Sequence, residues 1–158
     1  MIAAETAPPL AQIVEALPER SGFALVAMCP TDATDQLRRV SALPVTEAHG
    51  RLRLEVDRLF VIPPNCDGAF HRDELVVMPA GDPRAPIDKL LRSLADTYGA
   101  EATAVVVDRR GNDGVLGIKR LKEVGGLIIA KLAEAHNGAA ADPSAADGST
   151  ERAPQKTA

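Results

Sequence analysis

Two short apolar runs, Phe23 to Met28 (FALVAM) and Ala102 to Val107 (ATAVVV), constrain the fold of this chain more than any other feature. Neither alternates apolar with polar residues, as a strand with one wet face does. Each reads as a strand covered on both faces, which is the situation inside a parallel sheet with helices above and below it. Parallel neighbours need long crossovers, and amphipathic helices between the runs supply them.

The helices carry their own start and stop signals. Pro8 to Leu17 begins with proline, which the first helical turn tolerates, and places Ile13, Val14 and Leu17 on one face. Asp32 is placed to cap a helix running to about Ala42, with Leu37 and Val40 as its stripe. The segment PIDKLLRSLADTYG opens at Pro86, carries Asp88 in its first turn and stops at Gly99. Gly114 to Val124 is a fourth helix, ended by Gly125-Gly126, and LIIA follows as a last short strand. Pro44 to Ala48 reads as one more short strand. The middle differs: RLFVIPP, GAFHR and ELVVMP are extended pieces between turn residues and suggest antiparallel hairpins.

The pattern predicts a three-layer, doubly wound α/β domain with a mostly parallel sheet and a short antiparallel hairpin section. Sites in such sheets gather at the carboxyl ends of the strands, here the loops after Ala4, Met28 and Val107. The domain is expected over residues 1–136. From Gly138 onward no large apolar side chain occurs, so residues 137–158 are expected to be a disordered tail.

Composition excludes several function classes. Aromatic residues make up 3% of the chain and the formal net charge is −4, which disfavours nucleic acid and anionic membrane as partners. No window approaches the roughly 18 apolar residues of a membrane span, and the start is not a signal peptide. The two cysteines, Cys29 and Cys66, lack metal-motif spacing; a reduced cytoplasmic setting is the simplest reading. His49, His71 and His136 also lack ligand spacing, so neither metal nor cofactor is expected.

The segments PIDKLLRSLADTYG and AVVVDRRGNDGVLGIKRLKEVGGLIIA resemble the catalytic domain of the chemotaxis receptor methylesterase family (CheB, protein-glutamate methylesterase). VDRLFVIPPNCDGAFHRDELVV is similar to that family's strand-turn-strand section, and SALPVTEAHG to the segment before it. The resemblance runs from about Ile2 to Ala130. It implies a Ser-His-Asp hydrolase acting on methyl esters of receptor glutamates, in many members also on receptor glutamines. In that arrangement the Asp orients the His, the His takes the Ser proton, and backbone N–H groups hold the oxyanion.

Set against that pattern, the chain retains one triad position, Asp113 in GNDG. Glu5 stands at the serine position, with Thr6 next to it, and Ala7-Pro8 replaces a glycine pair. The second strand ends LVAMCP, so Ala27-Met28 replaces the Gln-His pair that carries the base. Asp108-Arg109-Arg110, before Gly111 and Asn112, replaces the small residues and Met of the oxyanion loop. An arginine there is expected to pair with Glu5 or Asp113. The resemblance therefore implies a degenerate, catalytically inactive member acting as a binding or regulatory module, with a chemoreceptor or signalling protein as partner. The alternative is an active methylesterase or deamidase with a rebuilt site using Asp113 and Thr6 or Cys29.

Several residues have plainer readings. Asp113 is expected to cap a helix from its Asn-Asp-Gly turn. Cys29 is expected to be a small hydrophobe at a strand end, Cys66 an exposed or half-exposed thiol in a polar loop, and the Lys and Arg of the fourth helix a solvated face. Relative to the family the chain reads as trimmed at both ends, with self-association as one expected outcome.

Overall fold

A computed structural model of the chain describes residues 1–4, 7–81, 85–109 and 112–132. The chain runs through β1 (Ile2–Ala4), α1 (Ala7–Glu15), β2 (Ala24–Met28), α2 (Thr34–Val40), β3 (Val45–Glu47) and β4 (Gly50–Arg53). It continues through β5 (Arg58–Ile62), β6 (Cys66–His71), β7 (Glu74–Pro79), α3 (Pro86–Tyr98), a 3-10 turn (Gly99–Glu101), β8 (Thr103–Arg109), α4 (Val115–Glu123) and β9 (Leu127–Leu132). Among the described residues six strands form one sheet in the order β3-β5-β2-β1-β8-β9, all parallel.

The two apolar runs are inner strands of this sheet, and their residues alternate between two cores. Ala27, Cys29, Val61 and Val107 face α1 and α2, where Leu10, Val14 and Leu37 are buried. Val26, Met28, Ile62, Ala104 and Val106 face the opposite way, onto Leu90, Leu91 and Leu94 of α3 and Leu121 of α4. This is the expected three-layer arrangement. A continuous apolar strand is needed because both of its faces are dry.

One strand departs from expectation. The sequence pattern groups RLFVI with the hairpins, but β5 pairs parallel with both β2 and β3. Its last four residues are all buried, so it belongs to the two-sided sheet. The antiparallel part is β4-β7-β6, and β4 was not anticipated. This second sheet lies against α3. Ser93 and Thr97, one helical turn apart, bond its edge strand: the Ser93 hydroxyl accepts the Phe70 N–H (3.0 Å), and the Thr97 hydroxyl donates to the Phe70 carbonyl (3.2 Å). Phe70 also meets Tyr98 edge to face, with ring centroids 5.8 Å apart.

Element ends follow local chemistry. Gly99 ends α3 at φ 53°, as expected of a glycine stop. The second helix ends at Val40 rather than Ala42. Its N-cap is Ala33, and Asp32 instead accepts the Thr34 N–H (3.0 Å) from one position earlier. On α4, Arg120 is more than a solvated charge, because it reaches Asp96 of α3 at 2.9 Å. Exposed on both sides, that pair contributes little by itself.

Candidate functional site

The parallel order sets β2, β1 and β8 side by side, so their carboxyl ends lie together at one end of the sheet. A cleft of about 270 Å³ opens there. Met28, Cys29 and Pro30 line it from the end of β2, Asn65 and Cys66 from the turn between β5 and β6, and Ile87 and Asp113 from the far wall. The expected place for a site is therefore a real concavity.

Asp113 is half-buried, and its carboxylate faces the start of α3. Its Oδ2 accepts the Ile87 N–H at 3.0 Å and its Oδ1 accepts the Asp88 N–H at 2.9 Å. These are two of the N–H groups that a helix start leaves without intrahelical partners. The N-cap residue of α3, Ala85, has no side chain able to accept them. Asp113 does cap a helix, but not the one it precedes. The N-cap of α4 is Gly114, at φ 88°, a left-handed conformation that glycine adopts without strain.

The α4 start is served from the other direction. Asp88 Oδ1 accepts the Gly117 N–H at 2.8 Å. Each helix thus lacks a capping side chain of its own and receives an aspartate from its neighbour. The close approach this demands is permitted by Gly117: a Cβ there would lie 2.4 Å from the Leu91 Cβ.

The remaining anticipated positions divide in three groups. Met28 is the last residue of β2, 5% exposed, and lines the cleft. Asn112 is exposed beside Asp113, and Arg109 ends β8, where the ladder to β9 shifts register. Glu5, Thr6, Arg110 and Gly111 lie outside the described residues, so the expected arginine pair with Glu5 or Asp113 lies outside them too. Residues 137–158 and His136 do as well. Among the described residues no cluster of three or more His, Cys, Asp or Glu is placed to hold a metal ion, and no helix is long and apolar enough to cross a membrane.

Cys29 is 3% exposed, buried at the strand end as expected, with its Sγ 3.3 Å from the Thr31 hydroxyl oxygen. Cys66 is half-exposed as expected, but it is the first residue of β6 rather than part of a loop; it packs against the α3-side core and lines the cleft. Its position depends on the Pro63-Pro64-Asn65 turn, where Asn65 takes φ 60° and its carbonyl accepts the Ala80 N–H at 2.9 Å. Neither His49 nor His71 lines the cleft, and both are exposed. Asp88, Ile87 and Cys66 were not singled out as site residues. Asp88 had a visible signal, an acid in a first turn, but the helix it serves is not its own.

Known proteins match this arrangement. The family model described as CheB methylesterase matches residues 4–146. A protein-glutamate methylesterase/protein-glutamine glutaminase of Geobacter sulfurreducens is 29% identical over 63% of this chain and 29% of its own length. One of Pyrococcus horikoshii is 30% identical over 82% of this chain and 39% of its own length. An uncharacterised 104.1 kDa protein of Rhodobacter capsulatus is 33% identical over 60% of this chain, which spans 10% of that relative. The crystal structure of the Thermotoga maritima CheB methylesterase catalytic domain superposes with a TM-score of 0.68 at 21% identity, covering 80% of this chain and 75% of that one. That likeness establishes the fold, and the match over most of the chain establishes the family. The chain belongs to the CheB methylesterase family.

Proposed function

We propose that this domain has lost ester hydrolysis and serves as a binding or regulatory module in bacterial chemotaxis-type signalling, in the cytoplasm. One observation carries the reading. Where the family's general base would close the second strand, β2 delivers Met28 and Cys29, both buried, and no imidazole among the described residues lines the cleft. A Ser-His-Asp relay needs an imidazole between hydroxyl and carboxylate, and loss of a relay member removes orders of magnitude in rate. Asp113 already has a structural occupation, since each of its oxygens accepts an α3 backbone N–H.

What the domain keeps is the cleft itself. At about 270 Å³ it is smaller than a typical drug-sized ligand site but has room for one side chain offered by a partner. The relatives' names concern protein glutamate and glutamine, so a segment of a chemoreceptor or signalling protein bearing such a residue is the natural partner class.

The test is methanol release from methylated receptor, and hydrolysis of a generic ester, by the purified full chain. The expected result is a rate no higher than that of Asp113→Ala. Turnover that Asp113→Ala abolishes would overturn the reading. A rebuilt hydrolase is the second reading, favoured by the thiol of Cys29 on the cleft wall beside Thr31. Turnover lost in Cys29→Ser would establish it.

A further inference from the structure

The end of the sheet opposite the cleft is unusually bare. A groove of about 800 Å³ runs around the amino ends of β1, β2, β8 and β9, walled by Ile13 of α1, Leu17 just after it, Phe23 and Leu25, Val105 and Leu127. Phe23 is 69% exposed, Leu127 57% and Ile129 54%. Cover on this face thins from strand to strand. On β8, Val107 is buried and Val105 partly buried beside α1; on β9, Leu127 and Ile129 stand open. The opposite face of β9 is packed, since Ile128 sits against the α3-side core.

The two edges of the six-stranded sheet are also unlike. Among the described residues, β3 closes one edge with three residues, follows Pro44, and carries Glu47 paired to His49. Shortness, proline and charge are the usual protections against strand addition. The other edge is β9, six residues reading LIIAKL, with no proline or glycine and one charged residue near its end. Among the described residues no strand pairs with the outer side of β9.

We infer that this chain self-associates through β9. A second copy's β9 lies antiparallel to it across a two-fold axis and continues the sheet from six strands to twelve. Leu127 and Ile129 of both copies then form one shared apolar strip. An identical strand suits the edge because two-fold pairing satisfies both rows of unpaired N–H and C=O groups with one contact. Charge is compatible with such a contact. Arg72 and Glu101 border the groove, and among the described residues neither forms an ion pair. A surface carrying both signs can meet its own copy without setting like charge against like.

Sedimentation velocity of the full chain over rising concentration tests this, together with hydrogen exchange of the β9 amides. The expected result is a reversible dimer whose β9 amides gain protection as dimer forms. Leu127→Lys and Ile129→Lys, both at exposed positions, should each raise its Kd by about tenfold or more. Met78→Lys, at an exposed apolar position on the second sheet, should leave it unchanged. A monomer at every concentration, with β9 exchange independent of concentration, would overturn the inference. So would a dimer indifferent to both lysines. Protection of β9 in a monomer, lost when residues 133–158 are deleted, would assign the edge to the chain's own tail instead.

Discussion

Asp113 and Asp88 cap each other's helices. The carboxylate of Asp113, just before α4, accepts two N–H groups from the start of α3, and the carboxylate of Asp88, inside α3, accepts the Gly117 N–H at the start of α4. Two helix starts that lack capping side chains of their own thereby become one unit.

The exchange predicts coupling. Asp113→Ala should cost about 2 kcal/mol, since it strands two N–H groups that a charged acceptor now satisfies. Asp113→Asn, with one acceptor oxygen in place of two, should cost about half as much. Because the two caps join the same pair of helix starts, Asp113→Ala and Asp88→Ala should show an interaction energy of about 0.5 kcal/mol or more in a double-mutant cycle read by urea denaturation. Strict additivity would mean that the two caps act independently.

Gly117 is where the helices touch. A Cβ there would meet the Leu91 Cβ at 2.4 Å and the Asp88 carbonyl oxygen at 3.1 Å. Alanine raises intrinsic helix propensity, so on an isolated helix Gly117→Ala would stabilise. Here overpacking should win, destabilising by about 1–3 kcal/mol. A thermal midpoint that rises on substitution would refute the close packing of α3 on α4.

Ser93 ties the second sheet to α3 through the Phe70 N–H. Ser93→Ala leaves that N–H without its acceptor and should cost about 1–2 kcal/mol. The Phe70 amide should exchange faster than in the parent protein while the amides of β2 keep their protection. Equal loss of protection at both places would point to global weakening rather than a local bond.

Tyr98 is the single tyrosine, in a chain without tryptophan, so its ionisation is directly visible in ultraviolet absorbance. Burial, and secondarily the negative charge of Asp73, raise its phenol above the ordinary value of 10.0. Its hydroxyl donates to the Arg72 carbonyl at 2.6 Å, a bond the phenolate cannot make. With the folded value raised, the contribution to stability is complete below pH 10 and is lost as pH rises through the folded value. The native midpoint should lie above that of urea-unfolded chain, and Asp73→Asn should lower it. A native midpoint at or below the unfolded one would contradict the surroundings described for this ring.

The layers of the fold were legible because a strand dry on both faces has to be apolar throughout. FALVAM and ATAVVV announce that directly, and proline and glycine mark the ends of α3. The position of the cleft was legible as well, since strand ends in parallel sheets converge. The partnership of RLFVI was not, because the Pro-Pro-Asn turn after it resembles a hairpin connection, whereas its neighbours are chosen by burial. Which helix Asp113 serves was also hidden. A capping acid looks the same in sequence whether its partner N–H groups lie two residues ahead or, as here, 25 and 26 residues before it at the start of another helix. The place of Cys66 on the cleft wall depends on the same turn and carried no local sign.

The placement of β1 has a consequence for how the molecule comes into being. Ile2 to Ala4 is an inner strand, yet its neighbour β8 is synthesised about a hundred residues later; the Met1 amine reaches the Thr103 carbonyl across 102 positions of sequence. A nascent chain on the ribosome can pair β1 with β2 early, but the other side of β1 stays open until β8 emerges. High contact order of this kind slows folding and prolongs the exposure of unpaired strand edges. The seam that stays open longest runs beside the first strand, so factors that protect nascent chains have their longest opportunity there.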